Sequence, residues 1–399
     1  MKIGIIDADL MHQGAHYPNL ALMKISGHHK RKGHNARILL RTGKRRTGAW
    51  RLDELSEPLR SFDKVFVSKV FTHTEAPPEL LAARNVEHGG TGFFLADAPP
   101  LPRRIERGVP DYKLYDAYIE SERARGCRRS FANYELYSMG MTTRGCFRKC
   151  PFCVNQKYDA SIRWSMASEF VDPRLPRINL LDDNVLACEE WPDIFAEVKA
   201  TRKQFVYRQG FDIRLLTEAS ARAINDPKYS GAVTFAFDLM KFKKQIESKL
   251  ELWRGITRRP TVVFLLVAFE SLDVRDVINT FYRIRVCMKF HCTPLIMRFQ
   301  RWRESPYARI YQNLAGWCFG GCYYYNASQS FREYCKMNGM TKSSREKYQL
   351  GDFRYDGDRY LKDGGSKGSS WLSMEEFESL HPDVAREFFD LRLKDVRKY

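Results

Sequence analysis

Three cysteines lie close together near the middle of the chain, in the run Cys146-Phe147-Arg148-Lys149-Cys150-Pro151-Phe152-Cys153, which we call the cysteine loop. Their spacing is C-x3-C-x2-C. Thiolates this close in sequence can converge on one metal centre only if the backbone curves around it, and Gly145 and Pro151 are residue types that favour such a curve. The pattern therefore predicts a metal-binding loop.

The number of ligands indicates which metal to expect. A structural zinc site uses four protein ligands, but no further Cys or His follows Cys153 within twenty residues, and Cys127 and Cys188 stand alone. Three cysteines suit an iron-sulfur cluster in which the protein holds three irons and the fourth iron stays open to a reacting ligand. An incomplete zinc site or a cysteine-rich surface loop is the alternative.

With the preceding Thr142-Thr143-Arg144-Gly145, the cysteine loop resembles that of the radical S-adenosylmethionine superfamily, whose defining motif is C-x3-C-x2-C. The resemblance implies a 4Fe-4S cluster on Cys146, Cys150 and Cys153, with Phe152 against the adenine of S-adenosylmethionine. In that superfamily one electron from the cluster cleaves S-adenosylmethionine, and the adenosyl radical takes a hydrogen from the substrate. A reductant such as flavodoxin or ferredoxin is implied as a partner.

The elements that would position this loop follow from the alternation of strands and helices. Predicted strands at residues 2–6, 36–40 and 65–70, with helices at 18–33 and 53–62, indicate a flavodoxin-like or Rossmann-like open sheet in residues 1–97. Residues 98–133, which begin with the proline-rich segment 98–102, are predicted to be a connector. The expected fold class is therefore α/β.

A second α/β domain is predicted at residues 134–300. It has six predicted strands (134–143, 178–181, 204–209, 233–237, 262–267 and 294–299) and intervening helices near 189–200, 215–225, 240–253 and 273–285. This pattern indicates a partial (β/α)6 TIM-type barrel with the cysteine loop at the carboxyl end of its first strand. Residues 301–399 are predicted to form a small helical C-terminal extension with a mobile linker at 341–370.

The ends of the other predicted barrel strands also carry residues that match family positions. Asp182 and Asp183 resemble a family segment near the amino group of S-adenosylmethionine, although an Asx turn that caps the next helix is an alternative. Arg214 would pair with the carboxylate of the cofactor. Ala268 stands where family members often have glycine. The matching positions after the third, fourth and fifth strands are Gln209, Arg214, Asp238 and Glu270. No catalytic residue beyond the cluster is assigned.

The first domain resembles, in position, the cobalamin-binding-type domain of one branch of the superfamily. Its Gly89-Gly90-Thr91-Gly92 follows a late strand, as a Gly-Gly turn does there. The segment Asp9-Leu10-Met11-His12-Gln13-Gly14 has the residue types of the Asp-x-His-x-x-Gly cobalt-binding pattern but not its spacing. We expect a degenerate domain, and a cobalamin-dependent radical methyltransferase is the alternative.

The charge of the chain bears on its partners. The net charge is +18, and residues 1–50 hold ten basic and two acidic residues, including the runs 30–32 and 44–46. Such an excess favours polyanions, and the resemblance to the methylthiotransferase-type branch of the superfamily also implies a nucleic acid or nucleotide substrate. A peptide or small metabolite is an alternative, and so is a solvated basic surface without a nucleic-acid partner. A zinc-containing nucleic-acid-binding protein without enzymatic activity is the alternative from another class. Other basic positions are Arg103, Arg104, Arg123, Arg125, Arg128, Arg129, Arg298, Arg301 and Arg303.

The compartment follows from hydropathy and cysteine usage. No run of eighteen apolar residues and no secretory leader is evident, so we expect a cytoplasmic protein without a membrane partner. Ten cysteines in a reducing compartment are ligands and buried thiols rather than disulfides. Cys318, Cys322 and Cys335 suggest a second cluster, but their spacing matches no ligand set, and the question stays open.

Overall fold

The computed structural model describes residues 1–42, 49–350 and 354–399. The protein is mixed α/β with parallel sheets, as the strand and helix pattern predicts. It divides into two compact units, residues 1–209 with 228–230 and residues 210–227 with 231–399, so the division falls inside the segment 134–300. Within the described ranges, no helix has the length and apolar character needed to cross a lipid bilayer.

The first unit contains nine strands and eight helices in its described residues. The strands are β1 Lys2–Asp7, β2 Asn35–Ile38, β3 Lys64–Ser68, β4 Val86–Gly89, β5 Tyr137–Gly140, β6 Thr143–Arg144, β7 Ile162–Arg163, β8 Arg177–Leu180 and β9 Gln204–Tyr207. The helices are α1 Ala8–Gln13, α2 Leu20–Arg31, α3 Pro78–Ala82, α4 Thr91–Phe94, α5 Arg103–Glu106, α6 Asp116–Ala124, α7 Ala132–Glu135 and α8 Trp191–Ala200.

Two parallel sheets organise this unit. The first has the order β2-β1-β3-β4, and the second has the order β5-β8-β9. Residues 3–7 of β1 are all buried, as expected for a strand covered on both faces of a parallel sheet. Helix α2 begins after Asn19, whose side chain accepts a hydrogen bond from the Leu22 N–H at 3.2 Å.

The connector packs into the same core as the first sheet. Ile3 and Ile5 of β1 share one buried cluster with Tyr115 and Tyr118 of the connector. The Tyr115 hydroxyl also donates a hydrogen bond to Asp7 Oδ2 at 2.7 Å. Much of residues 98–133 is helical, so the core of the first sheet extends well past residue 97.

Asp7 is a charged residue inside this core, and it makes stability depend on pH. Asp7 is 1% exposed, and burial raises its pKa from 3.8 to about 7. Since the unfolded chain ionises first, the free energy of unfolding should fall as pH rises from about 4 to about 7. We expect Asp7→Asn, which cannot ionise, to match the wild type near pH 4 and to be more stable by about 2–4 kcal/mol at pH 8.

Urea unfolding of both proteins from pH 4 to pH 8 measures this difference. The exposed Asp53 provides the control, because Asp53→Asn should follow the wild type at every pH. If the difference in the free energy of unfolding between Asp7→Asn and the wild type stayed constant with pH, the raised pKa of Asp7 would be contradicted.

Two boundaries in the first unit differ from the prediction. Residues 53–62 do not form a helix but contain only the 3-10 turns Leu52–Glu54 and Leu59–Ser61, since Pro58 cannot continue a helix. The first predicted strand of the second sheet starts at Tyr137 rather than at residue 134, because Ala132–Glu135 form α7.

The second unit contains five strands and ten helices in its described residues. The strands are β10 Val233–Ala236, β11 Thr261–Val267, β12 Thr293–Arg298, β13 Gln349–Leu350 and β14 Arg354–Tyr355. The helices are α9 Glu218–Ile224, α10 Lys243–Ile256, α11 Val274–Lys289, α12 Ala308–Cys318, α13 Phe331–Asn338, α14 Lys342–Lys347, α15 Gly357–Lys362, α16 Ser369–Leu380, α17 Pro382–Phe388 and α18 Leu393–Val396. Strands β10, β11 and β12 form a parallel sheet in that order, and β13 pairs antiparallel with β14.

The segment 341–370 contains more regular structure than its composition predicts. Its described residues form α14, β13, β14, α15 and the start of α16. Tyr348 and Tyr360 are buried with their ring centroids 5.7 Å apart, and Tyr360 stacks on Trp371 at 6.3 Å. These aromatic contacts bury apolar surface and stabilise the segment. Composition alone does not predict this, because most residues of the segment are Lys, Ser, Gly and Asp.

Candidate metal centre

The cysteine loop is closed at its base by a short antiparallel pair of strands. Thr143 of β6 pairs with Arg163 of β7, and Arg144 pairs with Ile162. The Trp164 N–H donates to the Thr142 carbonyl at 2.8 Å and continues this pairing. The loop therefore leaves the carboxyl end of β5 and returns beside its own starting point.

Asp182, directly after β8, holds the residues that lead into the loop. It is 2% exposed, and its Oδ1 accepts hydrogen bonds from the Thr143 N–H at 2.5 Å, the Thr142 hydroxyl at 2.6 Å and the Thr143 hydroxyl at 2.8 Å. Its Oδ2 accepts from the Thr142 N–H at 3.2 Å. Burial raises the pKa of this carboxyl, and the hydrogen bonds oppose the rise. The contacts show Asp182 fixing the junction between β5 and the loop.

Asp183 ties the two ends of the loop together. Its Oδ2 accepts from the Gly145 N–H at 2.8 Å, and its Oδ1 accepts from Asn155 Nδ2 at 2.6 Å. Gly145 has a φ of 94°, and a Cβ on it would lie 2.4 Å from the Ala160 carbonyl oxygen. The position therefore requires glycine.

The three cysteines of the loop form no disulfide and are half-buried, and N–H groups point at two of their sulfurs. Asn184 Nδ2 lies 3.3 Å from Cys146 Sγ, and the Arg148 N–H also donates to this sulfur at 3.5 Å. The Asn155 N–H donates to Cys153 Sγ at 3.4 Å. Hydrogen bonds of this kind stabilise thiolates and tune the clusters that thiolates hold.

The thiols of the loop share one electrostatic environment. Burial raises the pKa of the Cys153 thiol, and the charges of Cys150, Cys146 and Asp183 raise it further. Within the described ranges, no three His, Cys, Asp or Glu side chains are placed to hold a single metal ion. In an iron-sulfur cluster, by contrast, each thiolate binds its own iron.

Two other predicted site residues belong to the first unit. Phe152 is half-buried within the cysteine loop itself. Gln209 follows β9, is exposed and lines a cavity together with Asn179 and Arg208.

The remaining predicted site residues, Arg214, Asp238 and Glu270, lie in the second unit. Arg214 pairs with Asp212 through two contacts, Nε to Oδ1 at 2.7 Å and Nη2 to Oδ2 at 3.0 Å, and it stacks on Phe242 at 4.5 Å. Asp238 follows β10, and burial raises its pKa to about 6 against the opposing charges of Arg283 and Arg214. Glu270 is exposed after β11. Arg214 and Asp238 are thus neighbours, whereas the Asp212 partner was not predicted.

Sequence reasoning also missed a buried arginine that joins strand ends of the second unit. Arg283 of α11 is 1% exposed and donates hydrogen bonds to the carbonyls of Phe237, Asp238 and Leu266 at 3.1, 2.8 and 2.8 Å. The available signal was an arginine among the apolar residues of an amphipathic helix. Ala268, at the end of β11, has a φ of 58°, a conformation that glycine adopts more readily.

The cysteines considered for a second cluster differ in their exposure. Cys318 and Cys335 are buried and Cys322 is exposed. Burial raises the pKa of the Cys287 thiol, and the charges of Cys292 and Cys318 raise it further. Cys318 therefore lies near Cys287, which was not among the three cysteines considered for a second cluster.

The glycines after β4 are explained by packing. Gly90 has a φ of 105°, and a Cβ on it would lie 2.3 Å from the Lys69 carbonyl oxygen. A Cβ on Gly92 would lie 2.7 Å from the Phe71 carbonyl oxygen. In the segment that resembles a cobalt-binding pattern, Asp9 is buried and accepts a hydrogen bond from the Val70 N–H at 2.7 Å.

Several basic residues counted toward a polyanion partner bind within the chain. Lys30 pairs with Asp111 at 2.8 Å, and Arg123 pairs with Glu135 at 2.8 Å. Arg129 donates to the Gly14 carbonyl at 3.2 Å. The basic run 44–46 lies outside the described residues.

Neither a protein-family model nor a curated protein matches this sequence. The chemistry and surroundings of the cysteine loop are therefore the observations that bear on function.

Proposed function

We propose that this protein is a radical S-adenosylmethionine enzyme. The observation that carries the proposal is the C-x3-C-x2-C loop at the carboxyl end of the first strand of a parallel sheet. Its half-buried cysteines form no disulfide, and two of their sulfurs accept N–H hydrogen bonds. Cys146, Cys150 and Cys153 would hold a 4Fe-4S cluster. The donor set fits this group, because three thiolates on one loop leave the fourth iron open.

A bound cluster would supply the electron that cleaves S-adenosylmethionine to methionine and a deoxyadenosyl radical, and that radical would take a hydrogen from the substrate and leave as 5′-deoxyadenosine. The chain's own residues position the ligands. Asp182 fixes the start of the loop, Asp183 joins its two ends, and Asn184 donates to the Cys146 sulfur. Phe152 and Asp183 are proposed to contact S-adenosylmethionine, and the roles of Arg214, Asp238 and Glu270 stay predictions from the resemblance. Gln209 is not assigned to the cofactor, because it lines a cavity with Asn179 and Arg208. Asp182 would act through the loop.

The finer architecture belongs to the same proposal. We propose that the parallel strands β5, β8 and β9 of one sheet and β10, β11 and β12 of another would be the strands of a partial (β/α)6 barrel. The four-stranded parallel sheet of order β2-β1-β3-β4 would be a flavodoxin-like domain, and the helices after β12 the C-terminal extension.

Cobalamin is the less favoured alternative. The cavity beside Gly89 and Gly90 has a volume of about 270 Å³. Pockets for drug-sized ligands occupy about 300–1,000 Å³, and a corrinoid is larger than such ligands. The residues present do not fit this group, and we derive no step through it.

The proposal includes the partners that the reaction needs. A reductant such as flavodoxin or ferredoxin would deliver the electron in the cytoplasm. For the substrate, the net charge of +18 favours a nucleic acid or a nucleotide.

The test is anaerobic purification and reconstitution with iron and sulfide, followed by an absorption spectrum and electron paramagnetic resonance of the reduced protein. We expect a brown protein that releases 5′-deoxyadenosine when reductant and S-adenosylmethionine are added. A colourless protein that retains zinc and releases no deoxyadenosine would overturn the proposal and favour the zinc-containing nucleic-acid-binding protein.

A further inference from the structure

A cavity of about 590 Å³ in the first unit lies at the carboxyl ends of strands from both of its parallel sheets. We call it the strand-end cavity. Its volume lies within the range of about 300–1,000 Å³ that is usual for small-molecule sites. Its lining residues include Asp7, Tyr17, Phe71, Asn179, Arg208 and Gln209.

The topology of the first sheet favours a ligand at this place. In the order β2-β1-β3-β4, the chain moves to one side of β1 to form β2 and then crosses to the other side to form β3. Ligands of open α/β sheets bind outside the carboxyl ends of the strands at such a switch point. Asp7 ends β1 and Val70 follows β3, and both line the strand-end cavity.

A buried polar atom of the cavity wall lacks a partner. Asn179 of β8 is 2% exposed, and its side-chain oxygen has no hydrogen-bond partner in the described part of the chain. Buried acceptors of this kind are uncommon, and leaving one unsatisfied costs about 1–3 kcal/mol. The oxygen exposes less than 1 Å² of surface, so a ligand N–H or O–H group would reach it once the Asn179 side chain rotates toward the cavity.

The free charge in the cavity is positive. Arg208 is exposed, makes no ion pair in the residues that the structure describes, and lies over the rings of Tyr17 and Tyr137 at 5.7 and 5.6 Å. The two carboxylates at the cavity are engaged, since Asp7 accepts from the Tyr115 hydroxyl and Asp9 from the Val70 N–H. The arginine therefore provides a site for an anion.

The cavity also has aromatic side chains with free surface. Tyr17 and Phe71 are 44% and 49% exposed. Aromatic rings at a cavity provide stacking surfaces for planar rings and bury much apolar area.

We propose that the strand-end cavity binds a nucleoside monophosphate. The base would lie against Tyr17 and Phe71, a base N–H would donate to the Asn179 oxygen, and the phosphate would pair with Arg208. The volume accommodates one nucleotide rather than a polymer, and the net charge of +18 favours a phosphate. These contacts by themselves support nucleotide binding in the cavity. The role of the cavity as the substrate site depends in addition on the proposed function.

The experiment measures binding of adenosine 5′-monophosphate and of uncharged adenosine to the full chain by isothermal titration calorimetry. We expect Arg208→Gln to weaken the binding of adenosine 5′-monophosphate by at least about 10-fold and to leave the binding of adenosine nearly unchanged. Only the nucleotide carries a charged phosphate that can pair with Arg208. Asn179→Ala should weaken both ligands. Arg84→Gln, a change of an exposed arginine outside the cavity, is the matched control and should bind both like the wild type.

Two further arms separate this proposal from the proposed function. Saturating S-adenosylmethionine should not displace adenosine 5′-monophosphate, and displacement would assign the cavity to the cofactor and overturn the proposal. Cys150→Ala should bind the nucleotide normally, so failure of the cluster to form leaves this result intact. Absence of nucleotide binding by the wild type, or normal binding by Arg208→Gln, would also overturn it.

Discussion

Replacing Cys150 by alanine is expected to abolish deoxyadenosine release, by at least about 1,000-fold, and to remove most of the bound iron. When several residues act as one unit, removal of any one of them abolishes nearly all of the activity that depends on the unit. Two thiolates cannot hold a cluster that needs three. Cys150 is half-buried in the cysteine loop, so its replacement leaves the folded core intact. Deoxyadenosine release after reconstitution and iron per chain are the measurements.

Matched controls come from cysteines outside the loop. Cys127 is half-buried like Cys150, and Cys322 is exposed. Alanine at either position should leave iron content and deoxyadenosine release at the wild-type level. If Cys150→Ala kept its iron and its activity, the cluster assignment would be wrong. If Cys322→Ala lost iron, a second cluster would have to be considered.

Replacing Asp182 by alanine is expected to lower the free energy of unfolding by about 3–5 kcal/mol, because four hydrogen bonds to a buried carboxylate are lost and the N–H groups of Thr142 and Thr143 stay buried without a partner. Iron content after reconstitution should fall as well, since the loop loses its attachment to β8. Urea unfolding and iron analysis measure the two effects.

Asp182→Asn separates geometry from charge. The amide keeps the shape, but its Nδ2 would face one of the two N–H groups, so we expect an intermediate loss of stability. Asp193→Asn, at an exposed position at the start of α8, is the control and should change stability little. Unchanged stability in Asp182→Ala would show that these hydrogen bonds do not hold the loop.

The strands and most helices of the sheets could be predicted because their signals are local. Buried apolar runs such as residues 262–267, separated by amphipathic segments such as 273–285, identify strand and helix without knowledge of their partners. The prediction failed at residues 53–62, where Pro58 interrupts a helix-like pattern, and at 341–370, where Tyr348 and Tyr360 stabilise a segment that composition alone describes as a linker.

By itself, the sequence determined the cysteine loop and the order of elements around it, because three thiols within eight residues and alternating buried strands are properties of adjacent residues. Only the tertiary structure decided what holds the loop. Asp182 meets Thr142 and Thr143, and Arg283 meets Phe237, across roughly 40 residues of chain in each case. Such partners, and the unsatisfied Asn179 of the strand-end cavity, depend on which strands become neighbours. No local pattern encodes that pairing, because parallel strands are joined by long crossover connections.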